Sequence, residues 1–504
     1  MDNAFLSPGL AWVLLGGFSL LWIGLAVFWS RRVRTTSQYL FAGRNVGLAL
    51  VTATLMATWV TGNTVLAAPE QAYLLGLWGA IGYAFAGFGL LFFAPLSVRI
   101  RKLMPTGFTS GDFMRLRYGP TVWAIFMLIS ACYFIGWLIT QGMGAGLLLQ
   151  ALSGFDYRIG MLVVLGVTTI YTVFGGMRAV IGMDFLQAMM IMIGLVVVAT
   201  LAYATYGVGE VYRGLQENQP NALNLLLPAG LLFAWNTALF SMGEVFHSNV
   251  WWMRAFASRP TINFRGFILS GIAWMTVPLV TGSIALVALA LPGEFDIPQV
   301  NMVFPVVAAS LLGTVGAVLV FIVVFAALAS TISGLLAATA TLLTQDVYRR
   351  FINPDADDDR LRQVARFLVG GLGVLTIALS WNYVTTMYGL LLLTGALVGS
   401  TVWPIACGLY WEKANRQAAF VAMLVGSAAG LTFYFVVSSF AAALISFVVS
   451  AVIMVVWTIL RPQSFDWDIL RTAGTKEEFQ QEHPAYAGHE AGGSASSRPH
   501  GGER

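Results

Sequence analysis

Three hydroxyl side chains crowd one apolar stretch of the chain, Phe325-Ala-Ala-Leu-Ala-Ser-Thr-Ile-Ser333. On a helix Ala327, Ser330 and Thr331 fall at i, i+3 and i+4 and share one face. A carbonyl and two hydroxyls on one face are hard oxygen donors, suited to a dehydrated monovalent cation such as sodium if another segment supplies more oxygen. The ordinary alternative is that such hydroxyls bond their own i−4 carbonyls or a neighbouring helix; spacing alone leaves both open. A second oxygen source is visible at Thr58-Trp59-Val60-Thr61-Gly62-Asn63-Thr64, a polar, glycine-containing run ahead of Pro69-Glu70-Gln71. Trp235-Asn236-Thr237 and Ser241-Met242-Gly243-Glu244 predict a matching interruption later in the chain. Unpaired backbone inside a bilayer is tolerated only where it lines a cavity or is buried in protein, and its freed carbonyls are cation ligands.

Around these runs lie residues able to hold a small polar solute: Trp59, Tyr133, Trp137, Gln141, Asn236 and Thr237. Tyr133, Trp137 and Gln141 follow an i, i+4, i+8 pattern and share one helix face, although packing between helices explains such aromatics equally well. Two carboxylates sit in apolar surroundings, where an ionisable group is costly and is normally retained for a reason. Glu244 can bind solute amides or relay a proton, or it pairs with His247 one turn on; Glu70 reaches the outer surface. Asp184 is expected to bridge Arg178 at the inner face as a gate element. The run Asp355, Asp357, Asp358 and Asp359 beside Arg360 and Arg362 is expected to be a solvated loop, since it lacks the glycine turn and terminal glutamate of a calcium loop.

The elements that position these groups must live in lipid. Of 504 residues 58% are hydrophobic and 10% charged, with a mean hydropathy of +0.78; a soluble domain carries roughly 25% charged residues. Stretches of about 20 apolar residues give thirteen candidate spans, at about 9–29, 46–72, 75–98, 120–150, 159–177, 186–208, 226–250, 264–291, 312–345, 363–382, 386–410, 417–437 and 439–460, with a short half-helix over 300–311. Arg31, Arg32 and Arg34 follow the first span and retain it as a membrane helix rather than a cleaved signal. With the N-terminus outside, the inner loops hold 21 Lys and Arg and the outer loops only Arg158 and Arg213, the asymmetry of the positive-inside rule. The positive balance is therefore topology and not a nucleic-acid footprint. Residues 1–460 form the transmembrane domain, and 461–504 a cytoplasmic, largely disordered tail. Spans two to six (about 46–208) and seven to eleven (about 226–410) make two groups of five. Five is odd, so the groups run in opposite senses, an inverted repeat whose solute and ion sites form at interrupted helices.

Cys132 and Cys407 both lie in apolar runs and are read as packing residues. The sequence contains no nucleotide-phosphate loop, no metalloprotease helix motif and no glycine-flanked nucleophilic serine. An enzyme, and an ATP-driven pump in particular, is excluded, and no cofactor is expected.

At these residues the chain resembles the sodium:solute symporter family. The resemblance spans roughly residues 35–460. Tyr171-Thr-Val-Phe-Gly175-Gly176-Met177-Arg178-Ala179-Val180, followed by Asp184 and Gln187, is similar to that family's most recognisable stretch. Ala326 through Ser330-Thr331-Ile-Ser333 to Thr344-Gln345-Asp346-Val347-Tyr348 resembles its sodium-site helix. The resemblance implies an all-α integral membrane protein with a leucine-transporter-like, five-plus-five core. It also implies a multi-pass plasma (inner) membrane location and a cytoplasmic C-terminus. By position it implies a sodium site of the Ala57, Val60 and Ala327 carbonyls with the Ser330 and Thr331 hydroxyls, sodium or a proton being the coupling ion. One departure is Trp59, where proline-symporter relatives carry an aspartate.

Ala57-Thr58-Trp59, the run from Trp252 to Pro260 and the run from Leu343 to Pro354 resemble the urea active transporter branch. His247-Ser248 departs from it, standing where an acidic residue is expected. Urea is small, flat and neutral. It needs acceptors for its amides, a donor for its carbonyl and flat walls, which Trp59, Tyr133, Trp137, Gln141, Asn236, Thr237 and Glu244 can supply. Amino acids, short carboxylates and polyamines are the other solutes the resemblance admits. A facilitative channel is opposed by the sodium-site helix, and a sensor fused to a histidine kinase by the short tail.

Overall fold

In hydrocarbon every backbone N–H and C=O must find a partner within the protein, which a helix supplies along its own length. The computed structural model describes residues 5–31, 33–297, 299–382 and 387–473; the tail beyond 473 lies outside them. Its helices are α1 (Pro8–Ser30), α2 (Thr36–Phe41), α3 (Leu48–Trp59), α4 (Gly62–Leu75), α5 (Leu77–Ala84), α6 (Phe88–Leu103) and α7 (Ser110–Tyr118). There follow α8 (Pro120–Ser153), α9 (Tyr157–Tyr206), α10 (Val208–Asn218), α11 (Pro228–His247), α12 (Asn249–Ala257), α13 (Asn263–Ala290), α14 (Val303–Leu312) and α15 (Thr314–Leu342), the last continued by a π-helical segment, Leu343–Ile352. The chain closes with α16 (Asp358–Leu379), α17 (Met387–Val398), α18 (Val402–Tyr410), α19 (Arg416–Val436), α20 (Ala442–Leu460) and the short α21 (Asp468–Arg471).

Among the described residues ten stretches are long and apolar enough to cross a membrane, or eleven with the bent pair α3–α4 as one span. The expected thirteen are not reached on that criterion. One reason is that α9 absorbs two of the candidates; another is that α11 is not among the ten. The share of the span buried inside the protein separates two roles. It is 78% for the stretch containing α15 but 22% to 28% for α1, α16, α19 and α20, so α15 is central and the other four face lipid.

Two breaks position the site. Between α3 and α4 the axis bends by 58°, with Val60 at φ −80°, ψ 94° and Thr61 at φ −93°, ψ 169°. The sequence restarts the helix through a reciprocal cap: the Thr64 amide donates to Thr61 Oγ1 (3.1 Å) and the Thr61 amide to Thr64 Oγ1 (3.2 Å). The second break differs from expectation. Residues 235–244 are uninterrupted helix, and α11 ends only at His247, with Ser248 extended (ψ 127°) and its side chain accepting from the Val250 amide. The hydroxyls of α11 do not unwind it because they bond within their own helix, Thr237 Oγ1 to the Phe233 carbonyl and Ser241 Oγ to that of Ala238, both at 2.8 Å. Gly243 admits a neighbouring backbone: a Cβ there would sit 2.9 Å from the Gly399 nitrogen.

A third break lies inside α9, where Gly176 takes φ 54°, ψ −157°, a region essentially open to glycine alone. The carbonyls of Thr172 and Val173 lie one turn before it, and the Tyr39 hydroxyl of α2 donates to both (3.3 and 3.1 Å).

The connecting segments sort into two ends. At one end the Thr36 amide donates to Asp358, Arg44 to the Thr106 and Gly107 carbonyls, Arg259 to Asn45, and Arg117 to the Trp411 and Glu412 carbonyls. At the other the Leu6 amide donates to the Leu152 carbonyl, Trp78 to that of Leu225, Tyr157 to that of Ser380 and Asn218 to that of Ala290. The acidic run is not a solvated loop throughout: Asp357 caps α16 and Asp358 ties it to α2, where acidic side chains suit a helix N-terminus.

Candidate functional site

The α3–α4 break leaves carbonyls without their helical partners, and their destinations define the site. Thr331 Oγ1 of α15 lies 3.1 Å from the Thr58 carbonyl and 3.4 Å from that of Val60. The Trp59 carbonyl accepts from Trp274 Nε1 (2.6 Å) and Thr64 Oγ1 (3.3 Å). The two segments touch closely: a Cβ on Gly62 would meet Leu328 at 2.6 Å, and one on Gly334 would meet Thr58 at 2.8 Å. Ala57, Val60, Ala327, Ser330 and Thr331 are all buried at this contact. They supply neutral oxygens, a donor set that fits a monovalent cation.

Ser330 turns to a second cluster, donating to Asp184 Oδ1 at 2.6 Å. Asp184 Oδ2 accepts from Thr54 (2.5 Å) and Thr58 (3.2 Å). Its ion pair is made with Arg254 of α12 (3.2 Å), in place of the expected bridge to Arg178. Arg254 also donates to Thr54, to Thr58 and to the Val250 carbonyl. Both members of the pair are buried, and such a pair is strongly destabilised when one partner is removed. Arg254, although among the Lys and Arg that the charge pattern counts in the inner loops, is embedded, as its position between Trp252 and Phe256 signals.

Next to the break is a small cavity lined by Trp59, Thr61, Thr64, Tyr83, Trp137, Thr237, Phe240 and Trp274 among others. Trp59 packs against Trp137 (ring centroids 6.0 Å) and Trp274 (5.7 Å). The indole N–H groups of Trp59 and Trp137 are buried without a hydrogen-bond partner. Of the solute residues expected from sequence, Trp59, Trp137 and Thr237 stand in this wall. Gln141 points to Thr140 (3.2 Å), and Asn236 is buried with both amide atoms unpartnered. Tyr133 donates to Glu244, whose carboxyl also accepts from Trp251 Nε1 (3.1 and 3.2 Å). His247 does not pair with Glu244; its Nε2 lies 2.9 Å from Ser130 Oγ. Glu70 is half-buried at the far end of α4. Sequence reasoning missed Trp274, Tyr83, Thr61 and Thr64 as wall residues. Trp274 carries no local signal, being one aromatic in an apolar span.

Known proteins resemble this chain. The chain is 28% identical over 531 residues to the urea-proton symporter DUR3 of Oryza sativa subsp. japonica, covering 92% of this chain and 72% of that one. It is 26% identical over 457 residues to the high-affinity proline transporter PutP of Bacillus subtilis, covering 84% and 93%. A Na+-coupled sialic acid symporter, solved in a substrate-bound outward-open state, has the same fold, with a TM-score of 0.77 at 17% identity over 90% of this chain and 99% of that one. Residues 39–426 match the sodium:solute symporter family, and the chain belongs to that family as a multi-pass membrane solute symporter.

Proposed function

We propose that this symporter carries urea, driven by a cation bound between the α3–α4 break and α15. The observation that carries the reading is the meeting of Thr331 Oγ1 with the Thr58 and Val60 carbonyls across a broken helix. Sodium entering there takes the carbonyls of Ala57, Val60 and Ala327 and the hydroxyls of Ser330 and Thr331, which now bond Asp184 and the break carbonyls of Thr58 and Val60. Binding stiffens the break, and Trp59, inside it, is a wall of the solute cavity. Because one segment serves both ligands, each raises the affinity for the other by the same factor.

Urea suits the cavity wall. Its carbonyl accepts from the unpartnered indoles of Trp59 and Trp137, its amides donate to the hydroxyls of Thr61, Thr64 and Thr237, and the rings exclude bulk. A site built around unsatisfied donors discriminates strongly against a solute that cannot engage them. An amino acid, the solute type named for the Bacillus subtilis relative, needs a partner for each of its charges. Among the described residues no charged side chain lines the cavity.

Thirteen crossings fit this reading. The 50 residues of α9 at about 1.5 Å each extend roughly 75 Å, over twice the hydrocarbon thickness of about 30 Å, so α9 crosses twice, bending at Gly176. Counting α11–α12 as a further span gives thirteen, with core repeats over about 46–208 and 226–410, the N-terminus outside and the C-terminus inside the plasma membrane. The test is uptake of labelled urea into proteoliposomes under imposed sodium or proton gradients. Accumulation against the urea gradient supports the reading; equilibration without accumulation makes the protein a channel, and transport of proline but not urea removes urea as its solute.

A further inference from the structure

One ring away from the solute cavity lies a polar centre that the cavity does not include. Trp59 meets Trp251 edge to face (5.3 Å), and Trp251 and Tyr133 both donate to the Glu244 carboxyl. Glu244 is 2% exposed. Its donors are neutral, and among the described residues no basic group lies within ion-pair distance of it. Tyr133 from α8 and His247 one turn along α11 are the titratable groups at this centre. The other elements packed on α11 bring Tyr83 (α5), Arg99, Arg101 and Lys102 (α6), Arg254 (α12), and Cys407 and Tyr410 (α18), none hydrogen-bonded to the carboxyl. Arg254 is held by Asp184, and His247 Nε2 by Ser130. A buried carboxylate with no counter-charge is stable only with a cation of its own, and the smallest is a proton.

We propose that Glu244 binds and releases a coupling proton, and that Tyr133 and Trp251 pass its charge state to α8 and to α12 beyond the α11–α12 break. The proposal rests on the symport reading. As an anion the carboxylate accepts from Tyr133 and Trp251. When a proton binds, the new carboxyl O–H donates to the Tyr133 oxygen, and the Tyr133 hydrogen turns away from the carboxyl. Trp251 keeps the other oxygen. One O–H bond forms on uptake and breaks on release. Ser248 is the extended residue that caps α12, and α12 carries Arg254 to Asp184, the partner of Ser330. Protonation at Glu244 therefore reaches the cation site through α12 and the solute wall through Trp251 and Trp59. A direct solute contact is disfavoured, because Tyr133 and Trp251 enclose the carboxyl outside the cavity wall.

The test uses the purified full chain in proteoliposomes, with labelled urea as probe and proton and sodium gradients imposed separately. Glu244→Gln is expected to abolish proton-driven accumulation while keeping exchange of external labelled urea for internal urea. Glu244→Asp is expected to retain proton-driven accumulation at a reduced rate. Loss of exchange together with accumulation, or proton-driven accumulation preserved in Glu244→Gln, overturns the proposal. A solute-free arm stands apart from the urea reading: infrared difference spectra should show a carboxylic-acid carbonyl band that appears and disappears with pH in the wild type and is missing from Glu244→Gln. If no gradient moves urea in the wild type, the urea reading falls, and the infrared arm alone decides. A carboxyl band that does not change with pH sinks the proton role.

Discussion

At the scale of single residues, the cation site is held by few groups and each can be tested. Thr331→Ala removes a hydroxyl that meets two carbonyls of the break. If that oxygen is worth about 1.4 kcal/mol to the bound cation, half-saturation moves roughly tenfold to higher concentration. Ser330→Ala should act in the same direction and also strip one hydrogen bond from Asp184. Cation titrations of transport by both variants check this, and an unchanged cation dependence in both removes the assignment. The Asp184–Arg254 pair gives a second prediction. Arg254→Met leaves a buried carboxylate uncompensated and should cost about 3–5 kcal/mol, read as a lower unfolding temperature in detergent. Adding Asp184→Asn should restore much of the loss; a double variant as unstable as the single one means the pair is not the source. Spacing showed that Ala327, Ser330 and Thr331 share a face, because a helix fixes that locally. It did not show that Asp184 finds Arg254 rather than Arg178, because that partner is 70 residues away in sequence and depends on where α12 turns back into the bundle.

At the scale of elements, glycine and threonine in an apolar run marked the first break, and Thr61 and Thr64 make a cap whose logic is entirely local. The second break was misplaced by several residues. Asn236, Thr237, Ser241, Gly243 and Glu244 look like an interruption by composition, yet α11 accommodates their hydroxyls against its own carbonyls and uses Gly243 for close packing. The residue that ends α11 is Ser248, whose role shows only as the cap of α12. The kink in α9 was hidden for a related reason: Gly175-Gly176 was legible as a motif, but its carbonyl partner is Tyr39, on another element. Tyr39→Phe should therefore take a hydrogen bond from one buried and one half-buried carbonyl and cost about 1–3 kcal/mol, seen as a lower unfolding temperature. Gly176→Ala should be at least as damaging, since its Cβ would meet the Tyr39 ring at 2.5 Å in a conformation at positive φ. Stability unchanged by both substitutions means that Tyr39 does not brace the bend.

At the scale of the whole molecule, the proposed alternation of spans and the contacts between loops are separate constraints that agree. Segments around residues 36, 44, 106, 117, 259, 358 and 411 bond among themselves, and so, at the opposite end, do those around 6, 78, 152, 157, 218, 225, 290 and 380. A single misplaced crossing before residue 358 would force bonds between the two ends through the bilayer. Contacts alone leave the sign open, and charge supplies one: the first set is rich in arginine and the second holds Arg158 and Arg213, so we propose that the first faces the cytoplasm. The prediction is read with cysteines placed on exposed positions at the two ends, after Cys132 and Cys407 are changed to serine. Glu217→Cys should react with a membrane-impermeant maleimide in intact cells, and Asp355→Cys only after the cells are opened. The reverse pattern would invert the direction of coupled entry. Labelling of both positions in intact cells would mean that the crossings between them are miscounted, and the kinked α9 crossing twice would no longer follow.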